Sequence, residues 1–401
     1  MRVLFVIGNL GDYHVPRYEA LLDLAAMRGD DVYLVEIFGK SSVYAFPQDR
    51  RAHFFERKAA RSVTLMNDAS HAGGHWVKVA VGLFDAVRRF APQVVVTLGY
   101  HTSYSMWLCI LKLLYRRFSL IYMSDSKADD GKRYRAKEWL KRTIVRQFDG
   151  ALVAGEKHRA YARSLGIPFA RSRTGFDVVD VEYFSQMSEA ARNSESDVRA
   201  KFGLPPRYFV CVSRFVPRKN VDVVIEAYCR SGLHKLGQSL VLVGQGRCGD
   251  RLRQQVAQLG LSSHVVILDS VKNLDMPAVY ALAEFAVLAS QFDQWGLCIS
   301  EAFAARCPAI VTRTCGVAGE LVADGINGFI VEPGDVQILA ERMVVLGSDP
   351  ALRGRFAEKA RSAADDWTPA LFASNLIDLS ISIVTHARNT LNPKERARSQ
   401  T

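Results

Sequence analysis

The stretch Phe292–Pro308, FDQWGLCISEAFAARCP, runs a tight turn into a helix of small residues. Asp293 and Glu301 stand eight residues apart on either side of that helix start. This is not the spacing of one helical face, which repeats every three or four residues. The Gly296-Leu297 turn can open a helix whose first amides lack partners within it and can face a ligand. Glu301 then falls in the first two turns, and Asp293 in the loop before them. Two carboxylates so placed suit a polyhydroxylated ligand lying across the helix end, because each is a strong acceptor for a pair of vicinal hydroxyls.

Outward from this stretch, short β-branched runs alternate with helical patterns. RVLFVIG, DDVYLVEI, QVVVTLG, FSLIYMS and GALVAG read as buried parallel strands in the first half. YFVCVSRF, SLVLVGQG, HVVILDS, FAVLAS, PAIVTR and GFIVEP repeat the pattern in the second. This βαβ rhythm predicts α/β architecture with two Rossmann-like, doubly wound parallel sheets. The first half covers residues 1–184. A polar stretch over 185–207 reads as a linker with a short helix, and residues 208–366 form the second half. Helical sequence over 367–388 is placed to pack back on the first half, and the polar tail 389–401 is expected to be disordered.

With 49% hydrophobic and 23% charged residues among 401, the composition is that of an ordinary globular protein. The most apolar run, SMWLCILKLLY, is short and interrupted by Lys112, so it reads as a core or surface helix. MRVLFVIGNLG is too short for a signal peptide and reads as a first strand. Seven cysteines without a CxxC pair suggest reduced thiols and a cytoplasmic location. His71 and His75 have i,i+4 spacing, but Gly73 and Gly74 intervene, so no metal site is expected. The net charge of +11 admits nucleic acid, anionic lipid or phosphorylated small molecules as partners. Much of it lies in KLLYRRF and KADDGKRYRAKEWLKRTIVR, which read either as a solvated helix face or as a surface for an anionic membrane. No nucleic-acid-binding signature accompanies it.

Two loops of the second half could hold a phosphorylated ligand. In SRFVPRKN, Arg214 and Lys219 follow a strand and precede an amphipathic helix, and cations at such a position make an anion site. Exposed loop cations are also common without function. GQGRCG spells G-x-G-x-x-G at Gly244, Gly246 and Gly249, with Asp269 about twenty residues on, close to a dinucleotide fingerprint. Asp250 and Arg251 then put charge where that fingerprint wants helix–sheet packing. An NAD(P)-dependent oxidoreductase is the rival from this loop, and a simple strand-to-helix turn is its plain reading. In the first half, GNLGDYHVPR follows the first strand. Gly8 and Gly11 there allow close backbone approach, and His14 and Arg17 are polar residues beside them. Asp125 and His101 sit at the ends of later strands, where a polar residue often only caps its loop.

VSRFVPRKNVDVVIEAY, LVLVGQGRCGDRLRQQVAQLGL, HVVILDSVKNLDMPAVYALAEFAVLAS, DQWGLCISEAFAARCPAIVT and GVAGELVADGINGFIVEPGD, in this order, resemble glycosyltransferase family 4, with the two-domain GT-B fold and its central cleft. They cover the second half, whereas the first half matches mainly in its rhythm. The resemblance implies that Arg214 and Lys219 grip a donor diphosphate. Glu301 matches the second acid of a Glu-x7-Glu motif, which holds the ribose. Asp293 replaces the first Glu, which touches the transferred sugar, and this one-methylene departure puts the donor sugar in doubt. By the same resemblance, Gln294, Trp295, Gly296 and Leu297 offer backbone amides to the sugar, and Ser270, Val271 and Lys272 pass near the base. Gly11 lies near the diphosphate, and Asp125 near the reacting carbon. His14, Arg17 and His101 are placed to meet the acceptor. The expectation is a retaining hexosyltransferase that needs no metal or other cofactor. It would take a nucleotide-diphosphate sugar, UDP-sugar before GDP-mannose, and a lipid-linked or glycan acceptor of cell-surface polysaccharide or glycolipid synthesis, at the inner face of the cytoplasmic membrane. No nucleic acid is expected. A catalytically inactive sugar-nucleotide binder is a further alternative.

Overall fold

The computed structural model describes residues 1–40, 49–70, 75–115, 117–131 and 133–390. His71 with Gly73 and Gly74, Lys132, and the tail from residue 391 lie outside the described residues. The chain forms two compact units. The first comprises residues 1–128, 132–177 and 369–401, and the second residues 129–131 and 178–368.

The first unit is built on a seven-stranded parallel sheet: β1 Arg2–Ile7, β2 Asp31–Phe38, β3 Ser62–Met66, β4 Val94–Leu98, β5 Ser119–Ser124, β6 Gly150–Val153 and β7 Ser172–Arg173, in the order β3-β2-β1-β4-β5-β6-β7. Its central strands are continuous apolar runs, as expected where helices cover both faces. Val3, Leu4, Val6 and Ile7 of β1 are wholly buried. Edge strands β3 and β7 escaped the sequence reading: β3 is largely half-buried and β7 only two residues long, so neither carries an apolar run. Helix Pro369–Thr390 packs against helix Val15–Arg28. The helical stretch 350–387 is long and apolar enough by composition to cross a membrane. Phe372, Leu376, Ile377, Leu379 and Ile383 are nevertheless buried, as in a core helix.

The second unit has a six-stranded parallel sheet: β8 Tyr208–Val212, β9 Ser239–Val243, β10 Val265–Leu268, β11 Ala286–Leu288, β12 Ala309–Thr312 and β13 Gly328–Val331, in the order β10-β9-β8-β11-β12-β13. Each sheet therefore reverses its strand order once, beside β1 and beside β8. Ligands of doubly wound sheets bind outside the carboxyl ends of the strands at that reversal.

The stretch expected as a linker, 185–207, is mostly helical. Helices Val181–Asn193 and Glu195–Phe202 belong to the second unit, so the first boundary falls at 177/178 rather than 184. The cause is a buried stripe of Val181, Phe184, Ser188 and Ala191 hidden within polar sequence. Tyr183 donates to the Leu274 carbonyl (2.8 Å) and Arg192 to that of Ala305 (2.6 Å).

Candidate functional site

In the second unit the loops after β8 and β11, the two strands at the reversal, carry the cations and the first acid. Arg214 is exposed just after β8 and has no ion-pair partner among the described residues. Lys219 ends a 3₁₀ turn, Pro217–Lys219. Asn220 follows in the left-handed conformation (φ 48°) and starts helix Val221–Ser231. Lys219 Nζ donates to Asp293 Oδ2, an oxygen that also accepts from Ser290 Oγ at 3.3 Å. Asp293 is buried. Arg218 joins the same two loops, its guanidinium donating to the Phe292 carbonyl (3.2 Å) and its carbonyl accepting from Gln291 N (2.8 Å).

The turn before the second acid is pinned from below. Asp293 N donates to the Thr314 carbonyl (3.3 Å), Gly316 N to Asp293 O (3.1 Å) and Val317 N to Trp295 O (3.0 Å). A Cβ on Gly316 would stand 2.1 Å from the Gln294 carbonyl oxygen, so only glycine allows this approach. Gly296, at φ 114°, then opens helix Leu297–Ala304. The amides of Gly296 and Leu297 have no hydrogen-bond partner among the described residues, as for any helix start. Trp295 contributes backbone only: its indole is buried, donates to Ser300 Oγ (3.2 Å) and lies against Trp367 (4.8 Å between rings).

Six of the eight residues of helix Leu297–Ala304 are buried, Glu301 among them. Its Oε2 accepts from the Tyr280 hydroxyl (3.0 Å) and its Oε1 from Asn273 Nδ2 (3.3 Å). Burial pushes the Glu301 carboxyl up to about 7, and those two hydrogen bonds only partly counter it. Burial, followed by the nearby Glu301 charge, holds the Tyr280 hydroxyl far above its usual value, so it stays a donor. Asn273 closes the loop that carries Ser270, Val271 and Lys272, which thereby leads from the end of β10 toward Glu301. Tyr280, Asn273 and Ser290 lie within HVVILDSVKNLDMPAVYALAEFAVLAS but were not singled out in the sequence, because only the fold brings them against Glu301 and Asp293.

The glycine loop after β9 is structural. A Cβ on Gly244 would stand 1.9 Å from the Ser213 carbonyl oxygen, and one on Gly246 2.6 Å from that of Phe215. Phe215 N donates to Gln245 O, and Cys248 N to Phe215 O, both at 2.9 Å. The glycines thus let this loop lie against the loop holding Arg214, and Asp269 pairs with Arg253. Nothing here supports the oxidoreductase reading.

In the first unit, the loop after β1 is held by Glu36, wholly buried in β2. Glu36 accepts from Leu10 N (2.8 Å), Asn9 Nδ2 (3.2 Å), Thr64 Oγ1 (2.6 Å) and Arg51 Nε (2.9 Å). Its signal was a lone acid within the apolar run VYLVEIF. Gly11 precedes the 3₁₀ turn Asp12–His14. His14 is buried, with Nε2 3.5 Å from Arg17 Nη2, and its Nδ1 has no partner among the described residues. Arg17 is no acceptor ligand. It is 1% exposed, donates to the Phe176 carbonyl, pairs with Asp177 (3.7 Å) and stacks between Phe176 and Phe372. Its one-turn spacing from His14 hid this inward direction.

His101 follows β4, in a loop fastened by hydroxyls. Ser105 Oγ donates to the Gly99 carbonyl (2.7 Å) and meets Thr97 Oγ1 (2.9 Å) and Thr102 Oγ1 (2.6 Å). Desolvation, then the charge of Lys141, keeps the imidazole below its usual value and hence neutral near pH 7. Asp125 is half-buried directly after β5.

Residues 194–363, most of the second unit, match the family described as Glycosyl transferases group 1. An alpha-D-kanosaminyltransferase of Streptomyces kanamyceticus is 27% identical over 225 residues, 56% of this chain and 57% of the relative. A GDP-mannose-dependent alpha-(1-6)-phosphatidylinositol monomannoside mannosyltransferase of Mycolicibacterium smegmatis is 29% identical over 198 residues, 47% of this chain and 50% of the relative. The matches thus span about half the length of these curated relatives. Among solved structures, a glycosyltransferase from Rickettsia africae superimposes with a TM-score of 0.74 at 15% identity, covering 95% of this chain and 98% of that one. Anabaena HepE, in complex with UDP and glucose, gives 0.71 at 18% identity, covering 94% and 98%. The two parallel-sheet domains are therefore those of the GT-B fold.

Proposed function

We propose that the protein is a retaining glycosyltransferase of family 4 that transfers a hexose-type sugar from a nucleotide-diphosphate sugar to a lipid-linked or glycan acceptor. The observation that carries this reading is the buried acid pair beside Lys219, Asp293 before and Glu301 within a glycine-opened helix. Arg214 and Lys219 would stabilise the diphosphate as negative charge develops on its leaving oxygen. Glu301 would accept from the ribose hydroxyls and Asp293 from the transferred sugar. The departing diphosphate would take the acceptor proton on the face it leaves, giving retention without a separate general base. Ser270 and Val271 would border the base. Asp125, His14 and His101 are assigned to the sugar and acceptor. His14 is the best supported of these, because a buried polar nitrogen without a partner calls for an explanation.

A UDP-sugar is favoured and GDP-mannose is second. HepE is described with UDP, and the mycobacterial relative as GDP-mannose-dependent. The basic composition supports work at the inner face of the cytoplasmic membrane, with the polysaccharide or glycolipid acceptor presented there. The intact Arg214, Lys219 and Glu301 weigh against a purely binding role. A thermal-shift screen with UDP-, GDP- and ADP-sugars, followed by donor hydrolysis, tests the reading. One nucleotide class should raise the melting temperature, since a ligand of the folded state alone stabilises it. No shift with any of them would refute donor binding, and a shift without hydrolysis or transfer would favour the inactive binder.

A further inference from the structure

We propose that the outer face of the first unit formed by helices Trp76–Phe90, Ser103–Tyr115 and Arg135–Val145 docks on an anionic lipid bilayer by inserting apolar side chains. This deepens, and rests on, the reading of a membrane-presented acceptor. The three helices connect β3 to β4, β4 to β5 and β5 to β6, which advance in one direction across the sheet. Right-handed crossovers therefore put all three on one face. The first two meet, Trp76 lying against Trp107 (5.7 Å) and Phe84 against Tyr115 (5.9 Å), and Lys112 Nζ of the second donates to the carbonyl of Gln147 (2.7 Å), two residues past the end of the third.

Each helix turns large apolar groups outward. Val79, Leu83 and Val87 of the first helix are buried, while Val77, Val81 and Phe84 form the opposite stripe. Leu113 and Leu114 are 59% and 73% exposed, and Trp139 and Leu140 67% and 55%. Single exposed hydrophobes are ordinary, but several on each of three helices covering one face of the sheet mark an interaction surface. Cations accompany it: Arg88 shares the Val77 stripe, and Arg135 and Arg142 share a helical row with Trp139.

The charge pattern chooses the occupant. Asp85 and Glu138 are the only acids in these helices. Asp85 is paired with Arg89 (2.7 Å), and Glu138 is engaged by Arg133, Lys141 and the Tyr161 hydroxyl. A second copy of this face would bring cation against cation, whereas an isologous interface must be self-complementary. Exposed Leu and Val do not suit nucleic-acid phosphates. A surface with anionic headgroups above an apolar interior matches both features. Because Arg133 and Lys141 are engaged inward, the basic segment has fewer cations to offer than its sequence suggests, and the apolar groups gain weight accordingly.

The test is co-sedimentation of the full chain with phosphatidylcholine vesicles, with and without phosphatidylglycerol. Binding should be stronger with the anionic lipid, and should weaken yet persist in part at about 1 M salt, where the screening length is ~3 Å. Replacing Leu113 and Leu114 together with Ser, or Trp139→Ser, should weaken it about tenfold or more. Circular dichroism and nucleotide affinity should stay at the parent values, because these side chains lie outside the core and the donor residues. Negligible binding to both vesicles, or variants binding like the parent, would overturn the proposal. So would a lipid-free dimer that the same variants dissociate, which would assign the face to a second copy. A parent that binds vesicles but no nucleotide would leave this docking face standing while refuting the donor reading.

Discussion

Glu301→Gln separates the two properties of this acid, its burial and its charge. The Glu301 carboxyl is pushed up from about 4.5 to about 7. At 1.36 kcal/mol per pH unit, its full ionisation costs the empty second unit on the order of 3 kcal/mol. The folded state binds the proton more tightly than the unfolded chain. That stability is therefore complete below about pH 4.5 and lost as pH rises through 7. Gln has no such proton. It can keep the Tyr280 hydroxyl bond, and Asn273 can turn its amide to accept from the new NH₂. At pH 9 without ligand the variant should melt several degrees above the parent, since 1 kcal/mol corresponds to ~2–4 °C in a unit of this size. At pH 5, just above the unfolded value, the gap should shrink to a small part of that. Nucleotide binding should go the other way. Loss of charge-assisted bonds costs roughly 1.5–3 kcal/mol, or about 10- to 150-fold in affinity. Parent affinity should rise with pH through about 7, and that of the variant should stay flat. Differential scanning calorimetry and titration calorimetry at pH 5, 7 and 9 measure both. Parallel melting curves together with equal nucleotide affinities would refute the assignment of Glu301 as a buried ribose ligand.

Lys219→Ala should lower turnover by ~100-fold or more through loss of a cation at the diphosphate. It should also destabilise the unit, because it leaves buried Asp293 without its counterion. Adding Asp293→Asn should restore much of the stability, read by urea unfolding, and none of the turnover; recovered turnover would sink the diphosphate role. Gly316→Ala should severely impair folding, because its Cβ would meet a backbone oxygen at 2.1 Å. Normal soluble yield and an unchanged melting temperature would show that the turn can yield there. Donor hydrolysis is expected at full rate in excess chelator, since Arg214 and Lys219 would themselves neutralise the departing diphosphate. Strict dependence on magnesium or manganese would contradict this expectation.

Most of the fold was legible in local sequence, because a parallel strand covered on both faces must be a continuous apolar run. β1, β2, β4 and β5 of the first unit read so, as do the strands of the second unit around Arg214 and Asp293. The glycine before helix Leu297–Ala304 was legible for a similar reason: a backbone at φ 114° admits little else. What local sequence could not decide was direction. His14 and Arg17 lie one turn apart, yet Arg17 turns inward to Phe176 and Asp177, more than 150 residues away. Arg133 and Lys141 read as surface cations until Tyr161 and Glu138 drew them in. The stretch over 185–207 read as a linker because its buried stripe is thin and its partners, Pro277 and Ala305, lie far along the chain. GQGRCG matched a fingerprint whose meaning depends on what lies against it, and what lies against it is the backbone of Ser213 and Phe215. Local sequence determined which backbone conformations and burial patterns were available. Only tertiary structure decided which polar groups are consumed by partners distant in the chain and which are left to meet a ligand, because a hydrogen bond or ion pair is satisfied by proximity in space.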